Sequence, residues 1–155
     1  RRFIVTEGLF SGSGQVCNLP LLLRLRERYK VRILMDDSLG FGTLGKRGRG
    51  TAEFWDKEPK AVDVTVVSMG NVLGSVGGFC IGSREAVDHQ RLSGAGYCFS
   101  ASMPPFLCAV ASKSLSLLSA HPARIAQLRK RIDMAIATAR RRPEVDVLSS
   151  ELSPV

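Results

Sequence analysis

Five glycines fall between Ser38 and Gly50, directly after a predicted strand. Glycine loses more backbone entropy than any other residue in a helix or strand, so this segment cannot be regular structure. It begins with GFGTLG, residues 40–45, a G-x-G-x-x-G pattern that is typical of dinucleotide-binding turns. Such a turn must open a helix, whereas two more glycines follow in KRGRG, and the acidic pair Asp36-Asp37 precedes the glycines instead of following them. The dinucleotide interpretation therefore fails on its context.

Hydrophobic periodicity divides the rest of the chain into strands and helices that alternate in its first half. This alternation predicts the α/β class with an at least partly parallel sheet, and two long C-terminal helices that cover the sheet or lead into another domain. We predict strands at 3–6, 31–35, 63–69, 76–81 and 96–99, and helices at 19–30, 84–92, 103–119 and 122–141.

Composition limits the function classes. A chain of 155 residues with 45% hydrophobic content can bury the core of one domain. Its longest run of apolar side chains has six residues, FLCAVA at 106–111, whereas a membrane span needs roughly 20. The net charge of +8 lies mainly on predicted helix surfaces, without the interleaved aromatic residues that stack on bases, which disfavours nucleic-acid binding. Four cysteines and two histidines lack metal-site spacing, so we predict no metal and buried, reduced thiols.

Asp36 is predicted to end a parallel strand, at the edge where open α/β sheets bind ligands. A carboxylate there can keep a pyridinium nitrogen protonated, which makes pyridoxal 5'-phosphate (PLP) an electron sink. The alternative from this residue alone is that Asp36 only caps a turn.

Four motifs in order resemble the α-oxoamine synthase family of PLP-dependent enzymes. They are EGLFS at 7–11, DDSLGFGTLGKRGRG at 36–50, MGNVLGSVGGF at 69–79 and FSASMPP at 99–105. The resemblance implies the large domain of a fold-type I (aspartate aminotransferase-like) transferase. Residues 1–142 would be the C-terminal part of that domain, and residues 143–155 a linker into a small C-terminal domain that is missing from this fragment.

Two departures from the family pattern concern its chemistry. The family's Schiff-base lysine falls at Asn71, and no lysine occurs between Lys60 and Lys113. An amide nitrogen is not nucleophilic, so this position cannot bind PLP covalently. The histidine that stacks on the pyridine ring falls at Leu39, which cannot transfer a proton. Ser68 keeps a hydroxyl where the family contacts the phosphate.

A retained scaffold without the lysine and histidine resembles the family's non-catalytic subunits. The resemblance implies a heterodimer with shared sites, in which a lysine-bearing catalytic subunit holds PLP covalently and this chain binds it weakly at most. Ser100, Ala101 and Ser102 would reach across to the phosphate of the partner's PLP. The alternative is that these serines cap the helix that begins near Pro104.

The implied reaction is a decarboxylating condensation of L-serine with long-chain acyl-CoA to 3-ketosphinganine. The resemblance also implies location at the cytosolic face of the endoplasmic reticulum membrane. Two other interpretations stay open: a complete synthase that uses Lys46 or Lys60, and a basic interaction module. No residue of this chain is expected to act as the catalytic base.

Overall fold

The computed structural model describes residues 2–148, in which strands and helices alternate before two long helices end the described chain. The strands are β1 (Phe3–Glu7), β2 (Arg32–Asp36), β3 (Val64–Ser68) and β4 (Gly78–Gly82). The helices are α1 (Leu19–Tyr29), α2 (Thr51–Phe54), α3 (Gly70–Leu73), α4 (Arg84–Ser93), α5 (Ala95–Cys98), α6 (Pro105–Ala120) and α7 (Ala123–Ala139), with a 3-10 turn at Pro59–Ala61. Of the predicted linker at 143–155, residues 149–155 lie outside the described residues.

The sheet has the strand order β1-β2-β3-β4. The first two pairings are parallel and the third is antiparallel, which confirms the prediction of a partly parallel sheet. Because parallel strands end at the same edge, Glu7, Asp36 and Ser68 lie along one edge of the sheet. β4 begins at this edge, since Gly78 pairs with Ser68.

Helix α1 forms as its sequence predicts. The Asn18 side chain caps it by accepting a hydrogen bond from the Leu21 amide at 3.1 Å, and Pro20 occupies the first turn, where no intrahelical donor is lost. The helix ends at Lys30, which adopts the left-handed conformation. Leu19 is fully buried and anchors α1 on the sheet. The first core cluster consists of Cys17, Leu19, Ile33, Met35, Ala52 and Val62.

The two long C-terminal helices pack differently. α6 contributes to a second core cluster, where Ala111 packs with Met69 and Leu73. α7 buries Ile125 and Ile132. Within residues 2–148, no helix is long and apolar enough to cross a membrane.

The basic face predicted for α1 is only partly a solvated surface. Arg26 forms an ion pair with Asp63 at 3.0 Å, and Arg32, which lies on β2 and not on the helix, approaches the same carboxylate at 3.5 Å. The Ile33 amide donates to Asp63 as well, at 3.0 Å. Asp63 therefore ties α1 and β2 to the start of β3.

The strand predicted at 96–99 is wrong, because this segment contains helix α5. The amides of Cys98 and Phe99 donate to the carbonyls of Gly94 and Ala95, which closes a helical turn. Alternating aromatic residues favour a strand only where a neighbouring strand supplies hydrogen bonds, and here Tyr97 and Phe99 are exposed instead.

The prediction of buried thiols holds for one cysteine. Cys17 is buried, which raises the pKa of its thiol to about 11, with the nearby Asp37 charge adding to the effect. Cys80 is half-buried, whereas Cys98 and Cys108 are exposed, so for these two the prediction is wrong. Their apolar sequence neighbours do not enclose them, because α5 and much of α6 lie at the surface of this chain.

Candidate functional site

Asp36 and Ser68 end two adjacent parallel strands, so both lie at the edge where the sequence predicts the cofactor site. Asp36 is exposed, and its Oδ1 accepts a hydrogen bond from the Ser38 amide at 2.9 Å. Asp36 therefore caps the turn at Ser38 through one of its carboxylate oxygens. Its second carboxylate oxygen receives no hydrogen bond within the described part of the chain.

Ser38 connects the predicted site residues to one another. Its hydroxyl oxygen accepts a hydrogen bond from the Ser68 amide at 2.8 Å, and its carbonyl accepts one from the Asn71 side-chain amide at 3.2 Å. With the bond to Asp36, three groups of Ser38 hold the ends of β2 and β3 in a fixed relation. Sequence reasoning assigned Ser38 no role. Its position directly after the two aspartates was the available signal.

Asn71 lies on the short helix α3 and is exposed. Its amide nitrogen donates to the Ser38 carbonyl, so the side chain is occupied as a structural tie between two loops. Leu39, half-buried, follows Ser38. Ser68 Oγ accepts from the Gly70 amide at 3.2 Å and keeps its own proton available for a ligand.

The second aspartate, Asp37, serves the scaffold. It is 4% exposed, and its carboxylate accepts from the Thr51 amide at 2.9 Å and the Thr51 hydroxyl at 2.6 Å. Burial raises its pKa to about 6, the two bonds from Thr51 oppose that shift, and the neighbouring charge of Asp36 adds to it. Asp37 anchors the loop, and so does Glu7, which accepts from the Ser11 amide at 2.8 Å.

Three glycines enclose the Asp37–Thr51 pair. These glycines are Gly8, Gly40 and Gly50. A methyl group added to any of them would collide with the Asp37 carboxylate or the Thr51 hydroxyl. The glycine pattern of the second motif therefore reflects, in part, the close packing of backbone around one buried carboxylate.

The remaining glycines of the segment face side chains of three helices. A methyl group added to Gly42 would collide with Val72 of α3, one added to Gly45 with Glu53 of α2, and one added to Gly48 with Ile125 of α7. Two of their amides are used inside the segment: Gly42 donates to the Gly48 carbonyl at 2.8 Å, and Gly48 to the Gly45 carbonyl at 3.2 Å. The Gly50 amide donates to the Leu44 carbonyl at 3.1 Å, so these three glycine amides are not available to a phosphate.

Two charged residues hold the glycine segment from outside. Glu53 accepts hydrogen bonds from the Arg47 and Arg49 amides at 3.1 and 2.9 Å and pairs with the Arg47 guanidinium at 2.9 Å. Partial burial disfavours its charge, but these bonds outweigh burial and lower its pKa. Arg129 of α7 donates to the Gly45 carbonyl.

Ser100, Ala101 and Ser102 are exposed and lie between α5 and α6. The Ser100 hydroxyl donates to the Gly96 carbonyl, and no side chain caps the start of α6. The interpretation that these serines cap the helix is therefore wrong. No hydrogen bond among residues 2–148 joins them to Asp36 or Ser68, so the structure does not bring them into the site of their own chain.

Met103 links this exposed segment to the edge, because it packs against the core cluster that contains Met69. The Ser75 hydroxyl adds a hydrogen bond to the Leu107 carbonyl at 2.9 Å. The exposed serines therefore project from a segment that is packed against the loop between α3 and β4.

The residues at the edge suit PLP in a non-covalent mode. Asp36 has a carboxylate oxygen for the pyridinium nitrogen and Ser68 a hydroxyl for an anionic group. A covalent mode does not fit, because β3, α3 and β4 carry no lysine.

Known proteins resemble the chain over most of its length. The model of the family "Aminotransferase class I and II" matches residues 1–152. Long chain base biosynthesis protein 1c of Oryza sativa subsp. japonica is 41% identical over 100% of this chain and 32% of its own length. Serine palmitoyltransferase 1 of Dictyostelium discoideum is 45% identical over 85% of this chain and 28% of its own. The chain thus spans about a third of the length of the curated relatives it matches.

Solved structures agree with the fold. Serine palmitoyltransferase of Sphingomonas wittichii superposes with a TM-score of 0.78 at 30% identity, over 88% of this chain and 35% of that one. A structure described as SPT with PLP gives a TM-score of 0.76 at 26% identity, over 88% and 35% of the two chains. These matches confirm the predicted fold, the α/β large domain of a fold-type I PLP-dependent transferase.

Proposed function

The chain belongs to the aminotransferase class I and II family, and from that premise we propose that it forms part of the non-catalytic subunit of a serine palmitoyltransferase. In this proposal the chain supports the PLP-dependent condensation of L-serine with long-chain acyl-CoA, with loss of carbon dioxide, to 3-ketosphinganine. This is a step of sphingolipid biosynthesis. The intact subunit would work as a heterodimer at the cytosolic face of the endoplasmic reticulum membrane.

Asn71 is the observation that carries the proposal. It occupies the position of the family's Schiff-base lysine, and its amide is used to bind the Ser38 carbonyl at 3.2 Å. The scaffold around it is intact, because Asp36, Ser38 and Ser68 form one hydrogen-bonded group. Loss of the reactive group on a retained scaffold fits a subunit that supports a partner.

Lysines elsewhere are poorly placed to replace it. Lys60 lies in the turn before β3, at the end of that strand opposite to Ser68. Lys46 is exposed and lines a small cavity with Glu53 and Arg129, on the side of the glycine segment that faces α2 and α7. Neither position supports a complete synthase in this chain.

When bound, PLP supplies an electron sink for bond cleavage at the amino-acid substrate. We assign that chemistry to the lysine-bearing partner. In this chain Asp36 and Ser68 would hold a second PLP only weakly and without a covalent bond. The intact edge instead keeps the loops of this chain in the shape that a partner's site requires.

Ser100, Ala101 and Ser102 are the residues we propose to act on the partner. All three are exposed, and α6 begins directly after this segment without a side-chain cap. Pro104 and Pro105 supply no amide hydrogen, so the hydroxyl groups near the positive end of the α6 dipole are the groups that favour an anion such as a phosphate. The Ser100 hydroxyl already donates a hydrogen bond to the Gly96 carbonyl. Ser102 is therefore the better candidate for a phosphate contact.

The proposal is tested by the serine-dependent condensing activity of the full-length protein, alone and co-expressed with a lysine-bearing family member. We expect activity only in the pair. In the pair, Ser102→Ala should weaken the affinity for PLP about tenfold, as expected for a lost hydrogen bond to a charged group. Ser112→Ala, at an exposed position on α6, is the matched control and should have no effect. Activity of the protein alone would overturn the proposal.

A further inference from the structure

A second cavity lies on the side of the glycine segment that faces the two long helices. Its volume is about 570 Å³, within the range of roughly 300–1,000 Å³ that is typical of small-molecule sites. The glycine segment forms one wall, and the C-terminal half of α6 with the turn before α7 forms the other. The lining residues are Phe41, Arg47, Gly48, Arg49, Leu115, Leu118, Ser119 and Pro122.

The lining separates into an apolar part and a cationic part. Phe41, Leu115, Leu118 and Pro122 supply hydrocarbon, and none of the lining residues in the described part of the chain is acidic. Leu115 is 47% exposed, so its side chain is available to a ligand. The Phe41 ring is held in place by edge-on packing against Phe79, with the ring centroids 5.8 Å apart.

The two arginines differ in their charge balance. Arg47 is paired with Glu53 at 2.9 Å, which neutralises much of its charge. Arg49 donates only its backbone amide to Glu53, and its guanidinium has no acidic partner among residues 2–148. The cavity thus combines hydrocarbon walls with a guanidinium that forms no ion pair among residues 2–148, and whose planar donors match a carboxylate or phosphate.

We propose that this cavity binds a single-chain amphiphile with an anionic head group. The head group contacts Arg49 and the alkyl chain lies against Phe41, Leu115 and Leu118. Hydrocarbon burial supplies most of the affinity, and the guanidinium selects an anionic head over a neutral one. The inference rests on the lining of the cavity and does not depend on the proposed function.

Isothermal titration of the full-length protein with dodecyl phosphate below its micelle concentration tests this site. Octyl phosphate, dodecanol and inorganic phosphate separate the contributions of the chain and the head group. We expect dodecyl phosphate to bind at least a hundredfold more tightly than octyl phosphate, because each two buried methylenes contribute roughly tenfold. Equal binding of dodecanol, or equal binding of inorganic phosphate, would overturn the proposal.

Matched variants locate the binding. Arg49→Gln should weaken dodecyl phosphate about tenfold and leave dodecanol unchanged, since only a charge-assisted bond is lost. Leu115→Gln should weaken both ligands. Arg131→Gln, at an exposed position on α7 outside the cavity, is the control and should change neither. Equal losses in the two arginine variants would indicate non-specific charge attraction and contradict the assignment.

Discussion

Asp37 shows how one buried carboxylate accounts for glycines in two separate motifs. Gly8 comes from the first motif and Gly40 and Gly50 from the second, and all three leave room for the Asp37–Thr51 pair. The sequence displays the glycines, but their shared cause appears only when β1 and β2 lie side by side.

Gly40→Ala tests this packing. The added methyl group would overlap Asp37 Oδ1 and lie 2.8 Å from Thr51 Oγ1, so the pair would have to move. We expect a loss of roughly 2–4 kcal/mol in the free energy of unfolding of the full-length protein, measured in urea. At Gly12 nothing lies within 4 Å of an added methyl, so Gly12→Ala is the control and should be nearly neutral. Similar losses in both variants would mean that the buried pair does not set the requirement.

The pH dependence of stability tests the burial of Asp37. Its pKa is about 6 in the folded chain and 3.8 without that environment, so its protonated form is favoured by folding. The contribution of Asp37 to the free energy of unfolding is therefore complete below about pH 4 and is lost as the pH rises through about 6. Two pKa units correspond to about 3 kcal/mol.

The matching variant is Asp37→Asn, which cannot ionise. The difference in unfolding free energy between the native protein and this variant should fall by about 3 kcal/mol from pH 4 to pH 7. Urea unfolding at several pH values measures it. A difference that stays constant or rises with pH would contradict the conclusion that burial disfavours the ionised form of Asp37.

At the scale of elements, sequence predicted what depends on local pattern. β1, α1, β2 and α7 were found close to their expected bounds, because their apolar spacing and caps are local signals. α5 was missed because its aromatic alternation resembles a strand, and only the absence of a pairing strand distinguishes the two.

Only part of the candidate site was predictable from the sequence. Asp36 was identified because it directly follows a predicted strand, and Ser68 because it falls at the phosphate-contacting position of the family pattern. Ser38, which connects them, was not, since its three hydrogen bonds join residues from different parts of the chain. The sequence also did not predict that α6 is largely exposed. An apolar helix sequence indicates that the helix has to be buried, but it does not identify the surface that buries it.

Glu53→Ala tests how α2 holds the glycine segment. The Glu53 carboxylate accepts the amides of Arg47 and Arg49, and both acceptor bonds would be lost. Hydrogen exchange of these two amides should accelerate at least about tenfold, with a loss of roughly 1–2 kcal/mol in stability. The exposed Glu58 provides the control: Glu58→Ala should leave both amides unchanged. Unchanged exchange in Glu53→Ala would show that the segment is held by other contacts.

At the scale of the molecule, the fold is that of a PLP-dependent transferase, whereas β3, α3 and β4 carry no lysine. The sheet edge keeps its carboxylate and its hydroxyl, and the uncapped start of α6 faces outward with Ser102. We propose that this chain shapes a site whose reactive lysine lies in another subunit.

The most direct test is borohydride reduction of the full-length protein purified with its lysine-bearing partner and PLP, followed by peptide mapping. We predict a pyridoxyl-lysine on peptides of the partner and none on peptides of this chain, because Asn71 provides no amine. A pyridoxyl group on Lys46, Lys60 or any other lysine of this chain would contradict the account.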